Sequence, residues 1–347
     1  MIELILFFVA FLATFAGIGA FRILSRDRGI LDVPNGRSLH VAPTPRGAGL
    51  VFAVVILLLY YITSYAGTHS FSWGYLIGGV VLALISFFDD VYSVSFIIRF
   101  IVHSVAALTV IFDLGYVTSV YVPGAGLTFD LGGFGAAISF LWIVWMINAY
   151  NFMDGIDGLA GLQALLAGAG WLIFSIIAGL DSVYFLSGLV LMTSLGFLIH
   201  NWQPAKVFMG DVGSAFLGFT FAVLPILAAR DNSADSKLIP VIGIAIVWFF
   251  IFDTSFTFLM RLLNGNRVWT AHRNHLYQRL VLSGWPHRVT AGLYGLFSFV
   301  VTVAALFYWA FRGNYEYLLL SLIITLSGLL IITVFGKNIL TAKNKRC

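Results

Sequence analysis

The chain has 347 residues, 60% of them hydrophobic and only 10% charged, with a net charge of +4. That balance excludes a large soluble core and points to a protein whose main solvent is lipid. The basic residues are spread over many loops, so the positive charge gives no indication of nucleic-acid binding. The single cysteine, Cys347, excludes an intrachain disulfide.

Taken in order, apolar runs that reach or approach the ~20 residues of a membrane span cover 4–21, 47–66, 71–88, 100–115, 134–150, 158–180, 183–199, 212–229, 238–260, 289–311 and 315–335. The first run is preceded by Glu3 rather than a basic segment and is long enough to span, so it reads as a transmembrane helix and not a signal peptide. The pattern predicts an all-α polytopic membrane protein of about 11 helices, forming one domain over 1–347. If the N-terminus lies outside, the outer loops hold only Arg230, Lys237 and Arg312 of the 19 basic residues. The positive-inside rule then gives an N-out, C-in topology. Between the fourth and fifth runs, alternating residues flank Pro123-Gly-Ala-Gly126, which predicts a small β-hairpin on the outer face.

The inner loops, at 22–46, 89–99, 148–160, 200–214 and 261–288, carry the chemistry. Asn148-Ala-Tyr-Asn-Phe-Met-Asp-Gly-Ile-Asp-Gly-Leu-Ala160 places two aspartates where a bare interhelical turn would suffice. Asp154 and Asp157 would share a face on a helical first turn, and Gly155 and Gly158 would let the backbone approach a ligand. A polar turn with a capping aspartate accounts for this stretch taken alone. Two further acidic stretches fall at the same depth, however: Asp89-Asp90 at the end of the third run, and Asp211 before the eighth. Asp253 lies toward the inner end of the ninth. Carboxylates gathered in one cleft repel unless a cation joins them. Oxygen ligands without cysteine suit Mg²⁺, or Mn²⁺, rather than zinc, and leave places for phosphate oxygens. Arg46, and the loop containing His272, Arg273, Asn274, His275, Tyr277 and Gln278, supply groups able to bind phosphate and sugar. His103, inside an apolar run, reads as structural.

Together these motifs resemble the polyprenyl-phosphate N-acetylhexosamine-1-phosphate transferases of glycosyltransferase family 4. The matching pieces are Pro43-Thr-Pro-Arg-Gly-Ala-Gly49, Phe88-Asp-Asp90, the 148–160 stretch, Asn201 to Ser214, Asp253-Thr254 and Arg273-Asn-His-Leu276. The resemblance implies transfer of an N-acetylhexosamine-1-phosphate from a UDP-sugar to polyprenyl (undecaprenyl) phosphate, with release of UMP, at the cytoplasmic face of a bacterial inner membrane. It implies catalytic roles for Asp89, Asp90, Asp154, Asp157 and His275, and Mg²⁺ on Asp211 and Asp90. Substrate would be bound by Arg46, Asn148, Asn151, Asn201, Phe208, His272, Arg273 and Asn274, with Phe208 stacking on uracil. The family includes homodimers. Tyr277 and Gln278 stand where many members have histidines, which is similar to the subgroup that initiates O-antigen synthesis with UDP-GlcNAc or FucNAc-type sugars. A cation- or proton-coupled transporter is the alternative reading of carboxylates in a membrane protein, although transporters place them near the midplane.

Overall fold

A computed structural model describes residues 2–34, 39, 42–65, 71–92, 94–231, 236–267, 272–312 and 315–344. The parts of the predicted inner loops at 35–38, 40–41, 93 and 268–271 lie outside the described residues. Among the described residues, thirteen helices and four short strands follow one another. Helix α1 (Ile2–Asp27) leads into a two-residue antiparallel pair, β1 (Leu31–Asp32) and β2 (Thr44–Pro45). Helices α2 (Gly49–Tyr65), α3 (Trp73–Tyr92) and α4 (Phe96–Leu114) precede the strands β3 (Ser119–Val122) and β4 (Leu127–Asp130). Then come α5 (Phe134–Met153), α6 (Leu159–Ala178), α7 (Asp181–Asn201) and α8 (Gly210–Asp231). The chain continues through α9 (Ile239–Ile246), α10 (Trp248–Leu263), α11 (Leu276–Leu282), α12 (His287–Phe311) and α13 (Tyr315–Asn344).

Each predicted apolar run falls on helix. Among the described residues, nine helices are long and apolar enough to cross a membrane, or ten if a bent pair forms one span. Helix α2, with 17 residues, is shorter than these. The protein is therefore a mostly helical multi-pass membrane protein, and the two small sheets among the described residues are confined to connections.

Helix α8 forms the centre and is buried along almost its whole length. A helix that is apolar all round needs partners all round, and α8 has them. Tyr75 of α3 meets Thr220 at 3.0 Å, Trp142 of α5 donates to the Ala222 carbonyl at 3.0 Å, and a Cβ at Gly218 would strike the α5 backbone. The N-terminal end of α8 is thereby fixed among α2, α3 and α5, and that end carries Asp211.

The ninth run, expected as one helix, breaks at Val247 into α9 and α10 at 78°. No glycine or proline marks the break. It is stabilised from another helix: Gln163 of α6 donates to the Ile246 carbonyl at 3.0 Å and accepts from Ser298 of α12 at 2.7 Å. A carbonyl freed at membrane depth must find such a partner. The predicted hairpin is present, with Val120 opposite Phe129. It is tied down by Glu316, which accepts from the Tyr121 hydroxyl at 2.8 Å and from the Gly124 amide.

Candidate active site

The first inner loop and the 207–209 stretch lie side by side. The Phe208 amide donates to the Pro45 carbonyl at 2.8 Å, and the Ala48 amide returns to the Phe208 carbonyl at 3.1 Å. This pairing sets Arg46 beside the start of α8. Gly210 stands at φ 75, and a Cβ there would run into Asp90; only glycine allows that approach.

Asp90 then caps α8. It accepts from the amides of Asp211 at 2.8 Å and Val212 at 3.1 Å, and from Arg46 Nε at 2.8 Å, with no exposed side-chain area. A carboxylate is well placed at a helix N-terminus, where amides and dipole both favour negative charge. The same Arg46 reaches Asp211 Oδ1 through its second nitrogen at 2.8 Å, and Asn151 donates to that oxygen at 3.1 Å. Asn151 is held in turn by Ser214, at 2.9 Å. Arg99 completes the cluster, 3.1 Å from Asp89 Oδ2 and 3.7 Å from Asp211 Oδ2. The Val94 amide binds the other Asp89 oxygen at 2.6 Å. Burial pulls the Arg46 guanidinium down, but the Asp211 and Asp90 carboxylates push it up more strongly, so it stays charged.

A cavity of about 290 Å³ opens on this cluster. Arg46, Asn151, Asp154, Asp157, Asn201, Phe208, Asp211, Gln278 and His287 are among the residues that line it. Asp211 is 24% exposed, whereas Asp89 is 6% and Asp90 0% exposed. Of the three it is the carboxylate a ligand can reach. Among the described residues, no group of three histidine, cysteine or acidic side chains forms a metal cage. Mg²⁺ does not need one: it is held by one or two carboxylates and completes its shell with phosphate oxygens and water. The reachable carboxylate of Asp211 fits an open magnesium site of this kind, and the described residues do not fit a caged ion.

Asp154 and Asp157 differ from the expected helical turn. Helix α5 ends at Met153, with Asp154 as its C-cap, and α6 starts after Gly158 at φ 77. The left-handed glycine reverses the chain, and the aspartates sit in the connection. Gly155 and Gly158 do leave room, but for this protein's own side chains: added Cβ atoms would meet the Tyr277 hydroxyl and the Trp202 ring. Asp157 is buried between the Ala205 amide, at 3.1 Å, and His287 Nδ1, at 3.3 Å. Among the described residues no side-chain or backbone donor binds the Asp154 carboxylate. Burial, followed by Asp211, holds its carboxyl well above the usual range.

That shift has a sign. The raised folded value makes the Asp154 contribution to stability fully present below the unfolded carboxylate value, near ~3.9, and lost as pH rises through the folded value. Asp154→Asn has nothing to ionise. With a chelator present, its Tm relative to wild type is expected to increase from about pH 5 to about pH 8. A difference that shrinks over this range would mean that the site favours the ionised form.

The predicted site residues are not all brought together. Arg46, Asn151, Asp154, Asp157, Asn201, Phe208 and Asp211 line the cavity. Asn201 accepts from the Gly158 amide at 3.0 Å and donates to the Val207 carbonyl at 2.9 Å, which joins two of the motifs. Asp89 and Asp90 lie behind Asp211. Asn148 instead turns to His103, at 3.2 Å, and to the Val144 carbonyl, at 2.7 Å. His272, Arg273, Asn274 and His275 are outside the cavity lining, and His275 is buried against Asp253 at 3.2 Å. Burial, then His275, holds the His272 imidazole down at about 4, so it is neutral at pH 7. Arg99 and His287 gave no sequence signal beyond a basic loop and a helix start after Pro286 (the N-cap of α12).

The model of glycosyl transferase family 4 matches residues 72–229. A probable undecaprenyl-phosphate N-acetylglucosaminyl 1-phosphate transferase of Bacillus subtilis is 28% identical over 80% of this chain and 77% of its own length. A decaprenyl-phosphate N-acetylglucosaminephosphotransferase of Mycobacterium tuberculosis is 29% identical over 80% of this chain and 76% of its own length. A phospho-N-acetylmuramoyl-pentapeptide-transferase of Oceanobacillus iheyensis is 30% identical over 52% and 55%. The matched segment includes Asp89, Asp90, Asp154, Asp157 and Asp211, and the relatives to which the chain is similar are polyprenyl-phosphate sugar-1-phosphate transferases.

Proposed function

We propose that the protein transfers an N-acetylhexosamine-1-phosphate from a UDP-sugar to undecaprenyl or a related polyprenyl phosphate, releasing UMP. The observation that carries this reading is the cavity in which the reachable carboxylate, Asp211, sits between two arginines and beside Phe208. The loops that line this cavity belong to the set that carries most of the basic residues, and the positive-inside rule supports a reaction in the cytoplasm with the N-terminus outside. Asp211 would hold Mg²⁺, with Mn²⁺ as a substitute; the bound cation would neutralise charge on the phosphates of the nucleotide sugar. Asp90, occupied by α8 and Arg46, suits an anchor better than a ligand. Tyr277 and Gln278 favour a sugar of the GlcNAc or FucNAc type and a role in starting lipid-linked O-antigen.

The chain's own residues then do the positioning. Arg46 and Asn151 fix the Asp211 carboxylate. Phe208 offers a ring to the uracil. The lipid phosphate enters from the bilayer past the exposed apolar residues Phe258, Leu259, Leu262 and Leu263 of α10, beside α5, where Trp145 packs on Phe258. Its phosphate is largely dianionic at pH 7, with a second pKa of ~6, so it needs no strong base. Attack on the sugar-side phosphorus forms the new P–O bond as the bond to UMP breaks, and Arg99 is placed to offset charge on the incoming phosphate.

The test is UMP release by purified protein with Mg²⁺, a panel of UDP-N-acetylhexosamines, and undecaprenyl phosphate present or omitted. Release that depends on lipid, metal and Asp211 supports the reading; UMP formed equally without lipid overturns it. Phe208→Ala is expected to raise KM for the nucleotide sugar by about tenfold, the scale of one lost base–aromatic stack, and to leave KM for lipid phosphate unchanged. An effect confined to the lipid would remove the stacking role.

A further inference from the structure

Asp253 belongs to α10, lies outside the cavity, and is fully buried. It accepts from five donors. Thr257 at 3.1 Å, His275 Nδ1 at 3.2 Å and the Leu276 amide at 2.9 Å meet one oxygen; the Tyr277 amide at 3.1 Å and the Tyr294 hydroxyl at 2.6 Å meet the other. Three of these donors come from His275, Leu276 and Tyr277, the first turn of α11. A carboxylate at membrane depth must be fully satisfied, and here the partners are drawn from α10, α11 and α12. The consequence extends past Asp253. Tyr277 donates through its hydroxyl to the Phe152 carbonyl at 2.9 Å, so α11 is pinned at its other side to the end of α5, two residues before Asp154. Gln278, on the same turn, accepts from the His275 amide at 3.3 Å and reaches the cavity wall.

We infer that Asp253 is a positioning residue for the transfer reaction: it holds the first turn of α11 so that Gln278, not His275, meets the substrate in the cavity. This rests on the function proposed above. A carboxylate is required because all five partners donate, and the amide of an asparagine would turn N–H groups toward donors on one side. The group acts through α11, since it touches neither the cavity nor a residue that binds the Asp211 cluster.

The experiment combines hydrogen exchange and a double-mutant cycle on the full chain in detergent. In Asp253→Asn the amides of Leu276 and Tyr277 are expected to exchange at least about tenfold faster than in wild type, because a buried charge-assisted anchor is lost. With UDP-GlcNAc and undecaprenyl phosphate, or the panel member that wild type uses, kcat/KM for the nucleotide sugar should fall by about tenfold or more, with KM for lipid unchanged. In a Gln278→Ala background the same substitution should cost less than about threefold, since the two changes act through one contact. Additive losses would make Asp253 a fold stabiliser only and overturn the inference, as would unchanged exchange at 276–277. If Asp253→Asn does not fold, Tyr294→Phe removes one donor, leaves the carboxylate in place and carries the same cycle. Wild-type protein silent toward every UDP-sugar would instead overturn the proposed transferase, while the exchange measurement would still decide whether Asp253 orders the turn.

Discussion

Asp211→Asn is expected to lower lipid-dependent UMP release by about 10³-fold, the upper scale for loss of one electrostatic group at a reacting phosphate. The reason is charge rather than shape. An asparagine can still accept from Arg46 and Asn151 through its carbonyl oxygen, as Asp211 Oδ1 does at 2.8 and 3.1 Å. What it cannot do is balance Arg46 and Arg99 or hold a cation. Asp89 and Asp90 cannot take over, because their oxygens are committed to Arg99, the Val94 amide, Arg46 and the start of α8. The loss should therefore persist when Mg²⁺ is raised well above the wild-type optimum. Tm should change little, since the hydrogen bonds of the partly exposed side chain are largely kept. Full activity at ordinary Mg²⁺ would remove the metal-holding role.

The membrane helices were legible because span length and hydropathy are local properties, and each apolar run falls on helix. The Asp/Asn motifs were legible because ionised groups beside a bilayer are costly without a ligand or partner. Asp154, Asp157, Asn151 and Asp211 do meet in one cavity wall. What the sequence concealed depends on contacts between distant elements. The break at Val247 is stabilised by Gln163, 84 positions earlier, and by Ser298, with no local punctuation. His287 precedes the apolar run at 289–311 with no signal of its own, and only the folded chain brings it to Asp157. Asn148 belongs to the same motif as Asn151, but the helix turns it toward His103. His275 drew attention as a histidine in a polar loop, yet a carboxylate 22 positions away holds it out of the cavity. In each case the residue type was informative and its direction was not, because direction is set by tertiary packing.

Arg46 tests whether the two halves of the cluster can be separated. Its guanidinium forks between Asp90, through Nε, and Asp211, through a terminal nitrogen, both at 2.8 Å. Arg46→Ala strips the buried Asp90 of its only cation among the described residues and leaves it with two backbone amides. Removing one partner of a buried pair costs about 3–5 kcal/mol, and the one-third exposure of Arg46 puts the expectation at about 3. Tm should fall by several degrees, and transfer should drop by about 10²-fold or more as Asp211 loses its orientation. Arg46→Lys should recover only part of both, because an ammonium cannot reproduce the fork. The decisive variant is the pair Arg46→Ala with Asp90→Asn. Neutralising Asp90 removes the uncompensated buried charge, so Tm should return most of the way to wild type. Activity should not return, because Asp211 still lacks its guanidinium. Recovery of both together would mean that Arg46 serves the fold alone; recovery of neither would mean that the α8 N-terminus needs the Asp90 charge itself.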